Sequence, residues 1–315
     1  MAPHRARRHR TRRSGRRTLV YTVVASAVLV GGTAAGAVYV KAQAHDRGSL
    51  VASPSASAAS SSPSQEASVE PVTDPTVERD ALLAKAMKAV ALEDGAAVSV
   101  AVFDIDSGEG AAYGEGAFDT ASIVKVDILA TLLLQAQDAD RHLTAAEKTY
   151  ATAMITNSDN VSASALWDII GQADGLDAAN ERFGLTGTSG GDGALWGLTQ
   201  TTAADQLTLL QQVFGDDSEL SEASRTYLQG LMGEIAADQH WGVSAAADGT
   251  QWALKNGWLA RSSTGLWDIN SIGRVAVDGD EYLVAALSNG NTTKAKGISV
   301  VEAAAKAAVA AFGSA

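Results

Sequence analysis

The sequence predicts a mixed α+β domain: a five-stranded antiparallel sheet flanked by the terminal helices, with an all-helical block inserted between its strands. Three observations predict it. A helically spaced apolar stretch opens the folded part, and an Ala-rich one closes it. Five strand-like runs divide two and three around the middle of the chain. Between those groups, helical patterns follow one another with a single Gly-rich interruption. Strands gathered at both ends of a domain pair most simply in one sheet, with helices on its faces.

Each element has its own signal. Leu82, Leu83, Met87 and Val90 recur at helical spacing across residues 77–92. Residues 97–103 are strand-like, and Asp106-Ser107-Gly108-Glu109-Gly110 turns the chain into a second strand. Asp119 or Thr120 is placed to cap a helix that starts near Ser122 and runs through Leu132-Leu133-Leu134. Helical patterns then occupy 143–156, 160–170, 174–183, 202–214 and 219–234. Strands return at 251–259, 269–277 and 282–287, the last two joined through Asp278-Gly279-Asp280. A helix over 300–312 ends the domain.

Composition bounds the surroundings. The 315 residues are 46% apolar and contain no Cys, so disulfides, thiol nucleophiles and zinc–thiolate sites are excluded. Eight of the 24 basic residues are arginines within residues 1–17, where there is no acid; all 36 acids lie beyond them. A body that acidic argues against nucleic acid as its partner. From Leu19 to Val40 the chain is uncharged, about the length a helix needs to cross a bilayer. Arginines before that segment, with only Lys41 and Arg47 just after it, put the N-terminus inside and the domain outside. Ala42-Gln43-Ala44 also suits a signal-peptidase site, so residues 18–40 read as an anchor or as a signal cleaved after Ala44. Both readings make the domain extracytoplasmic. Residues 41–76, richest in Ser, Ala and Pro over 53–64, read as a flexible tether, and 77–315 as the folded domain.

Three short motifs carry the chemistry. Ser122-Ile123-Val124-Lys125 sets a hydroxyl and an amine three residues apart on one helix face, where they can touch. A serine needs a base within hydrogen-bond reach, and burial with nearby positive charge makes a lysine one. Ser158-Asp159-Asn160 stands between two helical patterns, where turn and cap residues are common. Lys255-Asn256-Gly257 interrupts an apolar strand; a glycine there implies the close approach of another backbone, such as a substrate on an edge strand. The backbone N–H groups of Ser122 and Trp258 would then form an oxyanion hole. Each motif alone is ordinary; their order is not.

S-x-x-K, then S-D-N, then a relaxed K-T-G resembles the serine β-lactamase and penicillin-binding transpeptidase family, closest to class A β-lactamase-like secreted serine hydrolases. Flanking text over 77–315 extends the likeness: Met154-Ile155, Thr201-Thr202-Ala203-Ala204 and Trp241-Gly242-Val243. The resemblance implies acylation of Ser122 by a β-lactam or a peptidoglycan-derived amide. It implies proton handling by Lys125 and Ser158, and substrate binding by Asn160, Lys255, Asn256 and Gly257. No metal or cofactor is implied. Three departures matter. Asn256 replaces the usual hydroxyl, the stretch from Ser122 to Ser158 is short, and residues 183–202 lack the Glu that activates the deacylating water, Asp192 being the sole carboxylate. Acylation without turnover leaves open a penicillin-recognising sensor or cell-wall binding protein. Gly187-Thr188-Ser189-Gly190-Gly191 also fits a nucleophile elbow with Asp238 and His240, but no strand precedes it. The five histidines lack metal-ligand spacing.

Overall fold

The computed structural model describes residues 75–312. The expected basic tail, apolar segment and nearly all of the tether lie outside the described residues. Among the described residues, no helix is long and apolar enough to cross a membrane.

The chain runs α1 (Pro75–Met87), β1 (Ala97–Asp104), β2 (Gly110–Tyr113) and β3 (Phe118–Asp119). The helical block follows: α2 (Val124–Asp138), α3 (Ala145–Thr156), α4 (Asn160–Ile170) and α5 (Gln172–Phe183). After β4 (Gln200–Thr201) come α6 (Ala203–Phe214) and α7 (Glu222–Gly233). Then β5 (Trp252–Ala260), β6 (Trp267–Val277), β7 (Asp280–Asn291) and α8 (Lys294–Ala310) close the fold. The main sheet has the order β2-β1-β7-β6-β5, every pair antiparallel.

Both faces of this sheet are covered. Val98, Val100, Val102, Val284 and Ala286 pack under Leu83, Met87, Val301 and Ala305 of the two terminal helices. Ala101, Leu283, Ala285 and Leu287 face the helical block through Leu209, Leu210 and Ile128. Double coverage is why these strands read as continuous apolar runs rather than alternating ones. The β6–β7 hairpin turns at Asp278 and Gly279, both at positive φ (54° and 102°), the geometry of a tight two-residue connection.

Several details differ from expectation. The last helix begins at Lys294, six residues before 300, because Thr293 caps it by accepting the Lys296 N–H at 3.2 Å. Gly297 hides that start in the sequence, yet it lies against Ile269, where a side chain would clash. The strands β3 and β4 are two residues each and pair Phe118 with Thr201 and Asp119 with Gln200; such short pieces carry no periodicity. Neither Asp119 nor Thr120 caps the helix after them. The Asp119 carboxylate is held by Arg261 and Gln200, and Thr120 makes no side-chain cap bond.

Candidate active site

Ser122 lies in a 3-10 turn, Ala121–Ile123, that leads into α2. Ala121 is at φ 48°, a left-handed conformation that costs a non-glycine residue of order 1 kcal/mol and persists only where its surroundings enforce it. The enforcement is visible. Asn270 of β6 donates to the carbonyls of Asp119 (2.8 Å) and Thr120 (3.0 Å), and the Thr120 N–H donates to Thr199 O (2.9 Å). Gly257 seats β5 against the same turn: a Cβ there would stand 2.6 Å from Thr120 O and 2.9 Å from Ser122 N. The sequence reading of Gly257 as a close backbone approach therefore holds. The approaching backbone, however, is the protein's own turn at Ser122. Trp258 follows directly and runs beside Ser122 on the edge strand.

Lys125 and Lys255 are both fully buried, and they meet at Ser158. The Ser158 hydroxyl is 3.1 Å from each ammonium. Lys125 also donates to Ser158 O (2.7 Å) and to Asn160 Oδ1 (2.8 Å), while Lys255 donates to Asn256 O (3.0 Å). The expected direct contact between Lys125 and the Ser122 hydroxyl is absent; the three donors of Lys125 are taken by Ser158 and Asn160. Among the described residues the Ser122 hydroxyl has no hydrogen-bond partner. Burial brings Lys125 down to about 7, against an upward pull from the Asp159 carboxylate. Burial lowers Lys255 well below its usual value, and the neighbouring charge of Lys125 lowers it further. Both shifts follow from desolvating an ammonium.

Ser158 reaches this position through a left-handed backbone (φ 56°) between α3 and α4. Asp159 caps α4 by accepting the Ser162 N–H at 2.7 Å and is only half-buried. Asn160 is exposed, and its amide N–H₂ has no partner among the described residues.

Two expected substrate contacts need correction. The Asn256 side chain is fully buried and faces away from Ser122. Its amide donates to Gln239 O (2.8 Å) and Trp241 O (3.0 Å) and accepts from Ser271 Oγ (2.6 Å), which exhausts its reach. It fastens residues 239–243 to β5 instead of meeting a ligand. Lys255 has no exposed surface, and its ammonium ends on the Ser158 hydroxyl instead of open space.

The loop from 184 to 199 forms the opposite wall. Despite its glycines it is firmly held: Asp205 accepts from Gly187 N (2.8 Å) and Thr188 Oγ1 (2.6 Å), Asp177 accepts from Gly190 N (2.7 Å), and Trp167 donates to Gly193 O (2.7 Å). Asp192 is exposed and its carboxylate bonds to nothing among the described residues. What the loop presents to the site is Trp196, whose ring centroid lies 5.0 Å from Lys125 Nζ and whose indole N–H donates to Ser164 Oγ (3.1 Å). Sequence reasoning missed Trp196; its one signal was being the single aromatic residue of residues 184–199. An adjoining groove of about 520 Å³ runs along Leu195, Trp196, Leu198 and Leu259. Ser189 of the nucleophile-elbow pattern is exposed in a loop, and His240 packs edge-to-face against Trp252 (4.6 Å), so that triad does not assemble. No group of three or more His, Asp or Glu among the described residues converges as a metal site.

A helix-flanked antiparallel sheet with a serine turn facing two buried lysines defines a β-lactamase-like fold, and comparison places the chain within it. Residues 146–312 match the beta-lactamase enzyme family, a span that includes Ser158 and Lys255 but starts after Ser122. The chain belongs to that family. Among solved structures it resembles a mutant of PBP-A in an acyl-enzyme complex with penicillin G (19% identity, TM-score 0.65, covering 75% of this chain and 97% of that one). It also resembles a β-lactamase from Xanthomonas campestris pv. campestris (20%, TM-score 0.58, 73% and 96%). A third similar structure is a β-lactamase from Chitinophaga pinensis (16%, TM-score 0.61, 73% and 97%). No curated protein matches.

Proposed function

We propose that this protein is an extracytoplasmic serine hydrolase whose Ser122 is acylated by β-lactams or a related cell-wall amide, and that the acyl-enzyme is released slowly. The observation that carries the reading is the Ser158 hydroxyl bridging Lys125 and Lys255 beside an unpartnered Ser122. Once neutral and released from one of its present partners, Lys125 turns to Ser122 and accepts its proton as the hydroxyl oxygen bonds to the amide carbonyl carbon. The oxygen that becomes negative lies where the N–H groups of Ser122 and Trp258 are expected, near the start of α2, whose dipole favours such charge. The proton returns through Ser158 to the leaving nitrogen as the C–N bond breaks. Asn160 offers its free amide N–H₂ to a substrate carbonyl. Hydrolysis of the ester needs a second base, and the loop wall supplies an indole instead of a carboxylate.

That same wall favours a second reading, a penicillin-recognising sensor or cell-wall binding protein held at the membrane through residues 18–40. Intact mass after incubation with penicillin, followed over time, separates the two. A Ser122 adduct that forms and then decays over minutes supports the slow hydrolase; one that persists supports the sensor. Turnover on the order of 10 per second or faster would overturn slow release, since that is ordinary enzyme speed. The Ser122→Ala variant should show no mass shift; an unchanged adduct in it would remove Ser122 from the mechanism.

A further inference from the structure

A second recess, polar and of about 380 Å³, lies beside the apolar groove and shares Arg261 and Ser263 with it. Asp119, Gln200, Arg261, Asp268 and Asn289 form its polar wall. Its charges do not balance. Arg261 pairs with Asp119, to which Gln200 also donates. Asp268 is left over: it is 5% exposed, makes no hydrogen bond among the described residues, and has Arg261 Nε no nearer than 3.8 Å. Burial raises its carboxyl, with Arg261 only partly opposing the shift. A buried carboxylate short of partners is costly and is relieved by a cation that also hydrogen-bonds.

The position ties the recess to the active site. Asp268 pairs with Leu259 in the β5–β6 register, so it lies on the sheet face that carries Lys255 and Gly257. An ammonium brings three N–H donors. The Asp268 carboxylate and the Asn289 amide oxygen, which has no partner among the described residues, stand ready to accept them.

We propose that this recess receives a primary ammonium group carried on the flank of the substrate that acylates Ser122, so that the preferred amide bears a free amine. This rests on Ser122 acylation as read above. The test uses the full chain and penicillins whose side chains are ω-aminoacyl groups of increasing length, each compared with its N-acetylated form. Acylation of Ser122 is timed by intact mass at low ionic strength. At the fitting length the ammonium form should react about tenfold faster, the scale of one well-placed charge pair. Asp268→Asn should erase that preference while leaving the rate with penicillin G unchanged. Equal rates for amine and N-acetyl forms at every length in the unaltered protein would overturn the proposal without need of the variant. A preference surviving in Asp268→Asn would overturn it as well. Should penicillin G itself leave Ser122 unmodified, the hydrolase reading falls and takes this inference with it.

Discussion

The two walls of the site are built differently. On the lysine wall, every donor of Lys125 is satisfied, and Ser158 and Lys255 are fixed by bonds of 3.1 Å or shorter. On the loop wall the backbone is just as firmly held, but the groups presented are an indole and, farther out, an unbonded Asp192. Rigidity is thus common to both walls and proton-handling chemistry belongs to one. On the proposed reading, that difference is why an acyl-enzyme would form faster than it is discharged.

The largest expected effect breaks the lysine wall. Lys125→Ala should slow Ser122 acylation by about 10²–10⁴-fold, the usual worth of a positioned base. A rate close to that of the unaltered protein in a mass-resolved time course would show that another group takes the proton. A smaller effect needs no mutation. With Lys125 at about 7, its free-base fraction, and with it the acylation rate, should fall about tenfold per pH unit below that value and level off above it. A pH–rate profile flat from about 5 to about 9, two units either side of that value, would break the assignment.

Asn256→Ala sharpens the contrast from behind the sheet. It strips partners from Gln239 O, Trp241 O and Ser271 Oγ, and buried polar groups left unpaired should cost about 2–4 kcal/mol in urea unfolding. Loss of acylation without loss of stability would instead make Asn256 a substrate contact after all. The smallest effect concerns the loop wall. Asp127 on α2 is fully buried and is raised to about 8, first by burial and then by the charges of Asp177 and Asp205, the carboxylates that hold the loop. The folded protein therefore keeps a proton that the unfolded chain releases near its model value of 3.8, so this residue lowers stability progressively from there up to about pH 8. Asp127→Asn should raise Tm by about 2–4 °C at pH 8, and by less at pH 5. An equal gain at both pH values would contradict a protonated Asp127.

Much of this was written in the order of residues. The helix at 160–170 matches α4 to the residue, because Asp159 caps it and Gly171, at φ 95°, ends it. The five main strands were legible since each is a run of β-branched or apolar residues long enough to show itself. Lys125, Ser158 and Lys255, which meet in the structure, could be picked out together with Ser122 because their spacing within helix, turn and strand is local. What local spacing cannot say is which way a side chain on a strand finally points, or what occupies the space it points into. Asn256 reads as a donor in a motif, yet three partners distant in sequence claim it. Gly257 reads as room for a substrate, yet the turn at Ser122 fills that room. Trp196 belongs to no motif and becomes a wall of the site only because β3 and β4 close the loop over α2. The sequence by itself determined the fold class and the chemical groups, through periodicity and order. The tertiary structure decided which of those groups share one pocket, because burial and hydrogen-bond saturation depend on neighbours that the chain brings together only when it folds.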